Sequence, residues 1–136
     1  MKREYCFFGL MICLLLILIG CKNAPVECNT ATIQIENRWH DDNGGLDVLN
    51  VQDKKDRIFI CSRINNFQKG KDVRIAYSYG DIDIYLNGRK IQAIFTYRNG
   101  VVYRVGVGKY VYDEPLTKRI LKLLNISKRC WGEDCF

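Results

Sequence analysis

Hydrophobic residues along this chain come first as a block and then in alternation. Residues 5–19 are apolar apart from Gly9, with Lys2 and Arg3 before them and Gly20 and Cys21 after. From residue 30 the period becomes two: Ile33 and Ile35 alternate with Gln34 and Glu36, a polar loop covers 39–45, and 46–51 reads as a second strand. Residues 57–64 are rich in β-branched and aromatic side chains, which predicts a strand with Cys61 inside it. In 72–79, Val73, Ile75, Tyr77 and Tyr79 share one face while Arg74, Ala76 and Ser78 share the other, the pattern of a half-buried antiparallel strand. Ile82, Ile84 and Leu86 mark another strand. Asn87-Gly88 then supplies the two positive-φ positions of a type I′ turn into a strand over 91–97. Arg98-Asn99-Gly100 is a second tight turn, leading to a strand over 101–112 that Gly106 and Gly108 bend or bulge.

The period changes again near the C-terminus. Leu116, Ile120, Leu123 and Leu124 fall at i, i+4, i+7 and i+8, with Lys118, Arg119 and Lys122 on the other side. Asp113 is placed to cap and Pro115 suits a first turn, so a helix is predicted over 114–126. The fold expected is mainly β: a small antiparallel β-sandwich or barrel with one C-terminal helix packed on a side.

The leading apolar block reads as a secretory signal. It has a basic start and about 15 apolar residues, short of the roughly 20 that a membrane-spanning helix needs. Its end, Leu18-Ile19-Gly20-Cys21, resembles the lipobox of bacterial lipoproteins, in which a dedicated peptidase cuts before a cysteine whose thiol has been diacylated. The resemblance makes Cys21 the lipidated N-terminus of the mature protein, anchored to a membrane through its acyl chains. It implies a location on the periplasmic face of the cell envelope. Lys22, a residue other than Asp after the cysteine, implies the outer membrane in a bacterium with two. The chain is thus expected to divide into a signal peptide (1–20), a lipidated N-terminus with a short tether (21–29) and a single β-rich domain (30–136).

Cysteine usage fits export. Of 7 cysteines, Cys6 and Cys13 leave with the signal and Cys21 carries lipid, so Cys28, Cys61, Cys130 and Cys135 remain. An even number in an oxidising compartment predicts two disulfides, for which three connectivities exist. Cys28 with Cys61 and Cys130 with Cys135 is preferred, because residues 130–135 close a short loop through Gly132. The spacing argues against zinc, since no CxxC pair is present and the single histidine, His40, is remote. No cofactor or metal is called for.

The sequence offers little chemistry. His40 lies with Asp41, Asp42 and Asp47 in a loop where Asp41-x-Asn43 loosely matches the start of a calcium loop, but Gln52 stands where that loop needs glutamate. Gly106-Val107-Gly108-Lys109 lies in a strand pattern without the helix N-terminus that a phosphate cradle requires. Asp81 and Asp83 point to one face beside a turn and read as a solvated strand edge. An envelope hydrolase would have to rest on His40 with Asp41 or Asp42, so the protein is read as a non-enzyme.

What remains is a surface. Tyr97-Arg98, Tyr103-Arg104 and Tyr110 place interface-favoured residue types along the strands and are the candidate partner-binding residues. The 136-residue chain has a net charge of +6, or +5 without its signal. An envelope protein meets no nucleic acid, so that charge points to an acidic protein, lipid headgroups or cell-wall polymer. In architecture the chain resembles the immunity lipoproteins found beside type VI secretion effectors: the lipobox at residues 18–21, an early β segment around Ile33, Cys61 in a mid-chain strand and the Asn87-Gly88 hairpin. That resemblance implies a protein that binds and occludes a secreted toxin, and the positive charge favours an acidic one. It is also similar in size and β character to lipoprotein inhibitors of animal-type lysozyme, with a G-x-I-x-L-N-G-like hairpin at residues 80–88, but its positive charge would oppose a basic lysozyme. The alternative of another class is a structural accessory lipoprotein of a secretion or envelope-assembly machine.

Overall fold

The computed structural model describes residues 24–39, 45–75, 78–96, 100–105, 108–126, 130–131 and 134–135. Among them, in order, are β1 (Ile33–Asn37), β2 (Val48–Asn50), α1 (Lys54–Asn66), a 3-10 turn (Phe67–Lys69), β3 (Ser78–Leu86), β4 (Arg89–Thr96), β5 (Gly100–Arg104), β6 (Tyr110–Tyr112), α2 (Glu114–Leu123), β7 (Cys130–Trp131) and β8 (Asp134–Cys135). The first six strands make one antiparallel sheet in the order β2-β1-β3-β4-β5-β6. The architecture is mainly β and antiparallel with a C-terminal helix, as the patterning predicts. Its second layer differs from the sandwich or barrel expected: the sheet stays open, and two helices cover its apolar face.

Alternation builds that face. Ile33 and Ile35 of β1, Ile82, Ile84 and Leu86 of β3, Ile91, Ala93 and Phe95 of β4, and Val101 and Tyr103 of β5 are buried in one cluster with Ile60 and Ile64 of α1 and Leu116 and Ile120 of α2. The β3–β4 hairpin turns through Asn87 (φ 48°) and Gly88 (φ 78°), the type I′ geometry predicted. The Asn87 side chain also accepts from the Thr32 backbone N–H at 2.7 Å, which ties the start of β1 to this turn. Both edge strands are only three residues long, a length that limits pairing with other chains.

Cys61 is helical, not in a strand. Ile60, Ile64 and Phe67 recur at i, i+4 and i+7 and are buried together, a helical stripe that the β-branched composition hid. The Asp53 carboxylate caps the helix, accepting from the Asp56 N–H at 2.9 Å. Burial of this stripe outweighs β-branched propensities of at most about 0.7 kcal/mol per residue. The Cys28–Cys61 disulfide is formed across a Cα–Cα distance of 5.4 Å. Beside it the Val26 N–H donates to Asn65 Oδ1 at 3.0 Å, and Asn65 Nδ2 donates back to the Val26 carbonyl at 2.8 Å. The segment from Val26 to Cys28 is therefore docked on α1.

Two further strand expectations change. The chain reverses between β5 and β6, where the Val105 N–H donates to the Lys109 carbonyl at 2.8 Å and Gly108 takes φ 73°, so 101–112 is a hairpin and not one bulged strand. Over 71–75 there is no strand; the Val73 N–H donates to the Tyr110 carbonyl at 2.9 Å and the Tyr110 N–H donates to Asp72 Oδ1 at 2.9 Å, which ties this segment to the β6 edge. Helix α2 ends at Leu123, earlier than predicted, with Asp113 as its N-cap and Pro115 in its first turn. Cys130 and Cys135 face each other in the β7–β8 register; the side chains that would form their bridge lie outside the described residues, as do the lipobox and His40. Among the described residues no helix is long and apolar enough to cross a membrane.

Candidate functional site

The face of the sheet away from the helices carries polar and aromatic side chains together with the buried Ile94 and Val102. Residues paired across antiparallel strands point to the same side, so register alone lays out a row: Glu36 opposite Asp83, Asp83 opposite Gln92, Gln92 opposite Arg104, and Arg104 opposite Tyr110. Beside it Tyr85 pairs with Lys90, and on the other side Asp81 pairs with Ile94, Ile94 with Val102 and Val102 with Tyr112.

Asp83 is the anchor of this face. It sits on a central strand and is 0% exposed. Arg38 Nε lies 2.6 Å and Lys90 Nζ 2.7 Å from its Oδ2. Neither contact has hydrogen-bond alignment, and Oδ1 has no hydrogen-bond partner among the described residues, so the carboxylate is held by charge. Burial of a carboxylate without an opposite charge would be prohibitive. Its two cations are 51% and 44% exposed, and each therefore reaches solvent from a fixed base. The Asp83 charge in turn raises the pKa of the Arg38 guanidinium. Around this centre Arg38 Nη2 lies 3.6 Å from Glu36 Oε2, the Tyr85 hydroxyl donates to the same oxygen at 3.2 Å, and Gln92 Nε2 donates to Asp81 Oδ2 at 2.6 Å.

Asp81 and Asp83 do share a face, as their spacing implies. They do not mark a solvated edge, because β1 inserts on the far side of β3 and makes it a central strand. Of the candidate partner-binding residues, Arg104 is exposed and Tyr110 half-buried opposite it on this face, and Tyr112 joins them at 51% exposure. Tyr103 is a correction. It points into the core at 0% exposure, stacks at 5.1 Å on Phe67 and shares a 2.8 Å hydrogen bond with Thr117, so it contributes no surface. Tyr97 and Arg98 lie outside the described residues.

Sequence reasoning missed Arg38, Glu36, Tyr85, Lys90 and Gln92. The polar alternates of β1, β3 and β4 carried the signal, yet only strand order brings them together. A cleft of about 470 Å³ opens at one end of the sheet between Gln34, Gln52 and Tyr85. Arg57 in its wall is occupied by a hydrogen bond to the Gln52 carbonyl. Among the described residues no group of three or more His, Cys, Asp and Glu side chains converges. The arrangement is suited to recognition: two cations fixed by Asp83, with Arg104, Tyr110 and Tyr112 at the β5–β6 end of the same face. Comparison of the chain with protein-family models, with curated proteins and with solved structures finds no match.

Proposed function

We propose that this protein is a lipid-anchored envelope binding protein, acting as an immunity protein or inhibitor that occludes an acidic secreted toxin or enzyme. The observation that carries the reading is the face organised by Asp83. A partner approaching it meets the ends of Arg38, Lys90 and Arg104, while the carboxylate that orients two of them is buried out of reach. A fixed side chain loses little rotamer freedom on binding, which otherwise costs about 0.5–1.5 kcal/mol each. Arginine and tyrosine at the β5–β6 end add the residue types that dominate interface energetics. The lipobox resemblance supplies the address, with Cys21 carrying the lipid on the periplasmic face, at the outer membrane where two membranes exist.

The test is capture from envelope extract and with neighbouring gene products, comparing the native protein with an Arg38→Glu/Arg104→Glu variant. Capture of one acidic secreted enzyme with loss of its activity, abolished in the variant, supports the proposal. Capture of a multi-protein assembly machine that ignores both substitutions would make the protein an accessory lipoprotein.

A further inference from the structure

Helices α1 and α2 run side by side, joined by Arg119 to Asp56 and by Arg63 Nε to Asp113 Oδ2 at 2.8 Å. Between them, on the side away from the sheet, opens a groove of about 490 Å³. Phe59 and Pro115 are its apolar lining, and Lys55, Lys118, Arg119 and Lys122 line it with Asp56 as the single carboxylate. Arg119 is engaged by Asp56 and Lys118 by Glu114 Oε1 at 2.5 Å, while Lys55 and Lys122 are exposed. An apolar lining set among lysines whose stems can lie along it is the chemistry of a surface that meets phosphate headgroups and the first methylenes beneath them.

We propose that this groove seats the domain on an anionic phospholipid bilayer, helix layer down. The inference rests on the lipid-anchor reading for its geometry. From Val26 the chain is bonded to Asn65 and then bridged to Cys61, so only the residues between Cys21 and Val26 separate the acyl chains from α1. At about 3.5 Å per residue that span is under roughly 18 Å, less than the diameter of a domain of this size. The flank of α1 that holds the anchor is therefore kept close to the bilayer, and the basic groove decides which layer faces it. Cys61 and Asn65 occupy one flank of α1 and the groove the other. With the helices down, the exposed ends of Arg38, Lys90 and Arg104 point away from the membrane, toward a partner.

Protein processed by the cell and purified from its membranes is added to the outside of vesicles of phosphatidylcholine alone, or of phosphatidylcholine mixed equally with phosphatidylglycerol, and pulsed with an impermeant amine reagent. Lys55, Lys118 and Lys122 are expected to label several-fold more slowly on the anionic vesicles, with protection lost at high salt, while Lys90 and Lys109 label alike on both. Lys55→Glu and Lys122→Glu, both on exposed positions, are each expected to weaken association with the anionic vesicles about fivefold. Equal labelling of the groove lysines on both compositions, or equal protection of Lys90, overturns the proposal. Failure of the anchor reading looks different, since a protein lacking acyl chains does not float with phosphatidylcholine vesicles. Protection of the same lysines by an acidic protein and not by the anionic vesicles would also overturn it.

Discussion

Asp83 shows how far one side chain can organise a surface. Its carboxylate is buried and holds two cations that remain largely in solvent. Asp83→Asn is expected to cost about 1–3 kcal/mol in urea unfolding, because two charges lose the group that fixes them. Arg104→Ala, which makes no such contact, should leave stability within about 0.5 kcal/mol and weaken partner capture. Equal stability losses for the two variants would remove Asp83 from its proposed role. Tyr103 is the converse case, a tyrosine whose hydroxyl is sealed in the core. Burial raises its pKa, with the Thr117 hydrogen bond opposing the shift. An unfolded tyrosine titrates near pH 10, whereas Tyr103 in the folded chain keeps its proton well above that. Its contribution is complete below about pH 10, and stability falls above it by about 1.4 kcal/mol per pH unit as only the unfolded chain releases the proton. Tyr103→Phe should cost about 1 kcal/mol at neutral pH and flatten that alkaline decline.

Among the elements, the two helices are fastened by different means. Helix α2 depends on Asp113, which caps the Leu116 N–H at 2.9 Å and accepts from Arg63 at 2.8 and 2.9 Å. Asp113→Ala removes both, and about 2 kcal/mol or more of stability is the expected loss by thermal unfolding. Helix α1 is fastened covalently: reduction, or Cys28→Ser/Cys61→Ser, should lower stability by about 2–4 kcal/mol, measured with and without reductant. Gly80 marks the bulge that opens β3 to the Trp39 ring, whose nearest atom would stand 2.6 Å from an added Cβ. Trp39 also stacks at 4.6 Å on Phe95, so Gly80→Ala is expected to unseat the ring from the core and change its fluorescence. The β3–β4 hairpin and the cap of α2 were legible because each is a local requirement: Asn-Gly for paired positive φ, Asp before Glu-Pro for orphan N–H groups. Helix α1 was not, since Ile, Phe and Cys favour strands locally while their spacing favours a helix.

At the scale of the molecule, the described residues form two layers, with the helices and the Cys28–Cys61 bridge on one side of the sheet and the face organised by Asp83 on the other. Cys21→Ala is expected to release the protein or leave it unprocessed in membrane fractionation. A variant that stays anchored and processed would end the lipoprotein reading. Alternation along β1, β3 and β4 marked which of their residues lie inward, the Asn87-Gly88 turn and the Asp113 cap marked where β4 and α2 begin, and the cysteine count favoured the bridge that holds α1. Those are short-range matters of period, backbone conformation and cross-link geometry. Tertiary structure alone decided that β1 would pair beside β3 and make Asp83 a buried carboxylate, that two helices and not a second sheet would close the core, and that Tyr103 would lie inside while Arg104 and Tyr110 share the opposite face. The physical reason is that strand order and layer choice are set by contacts between residues far apart in the chain. A residue's own neighbours carry its preference for helix or strand but not the identity of what covers it.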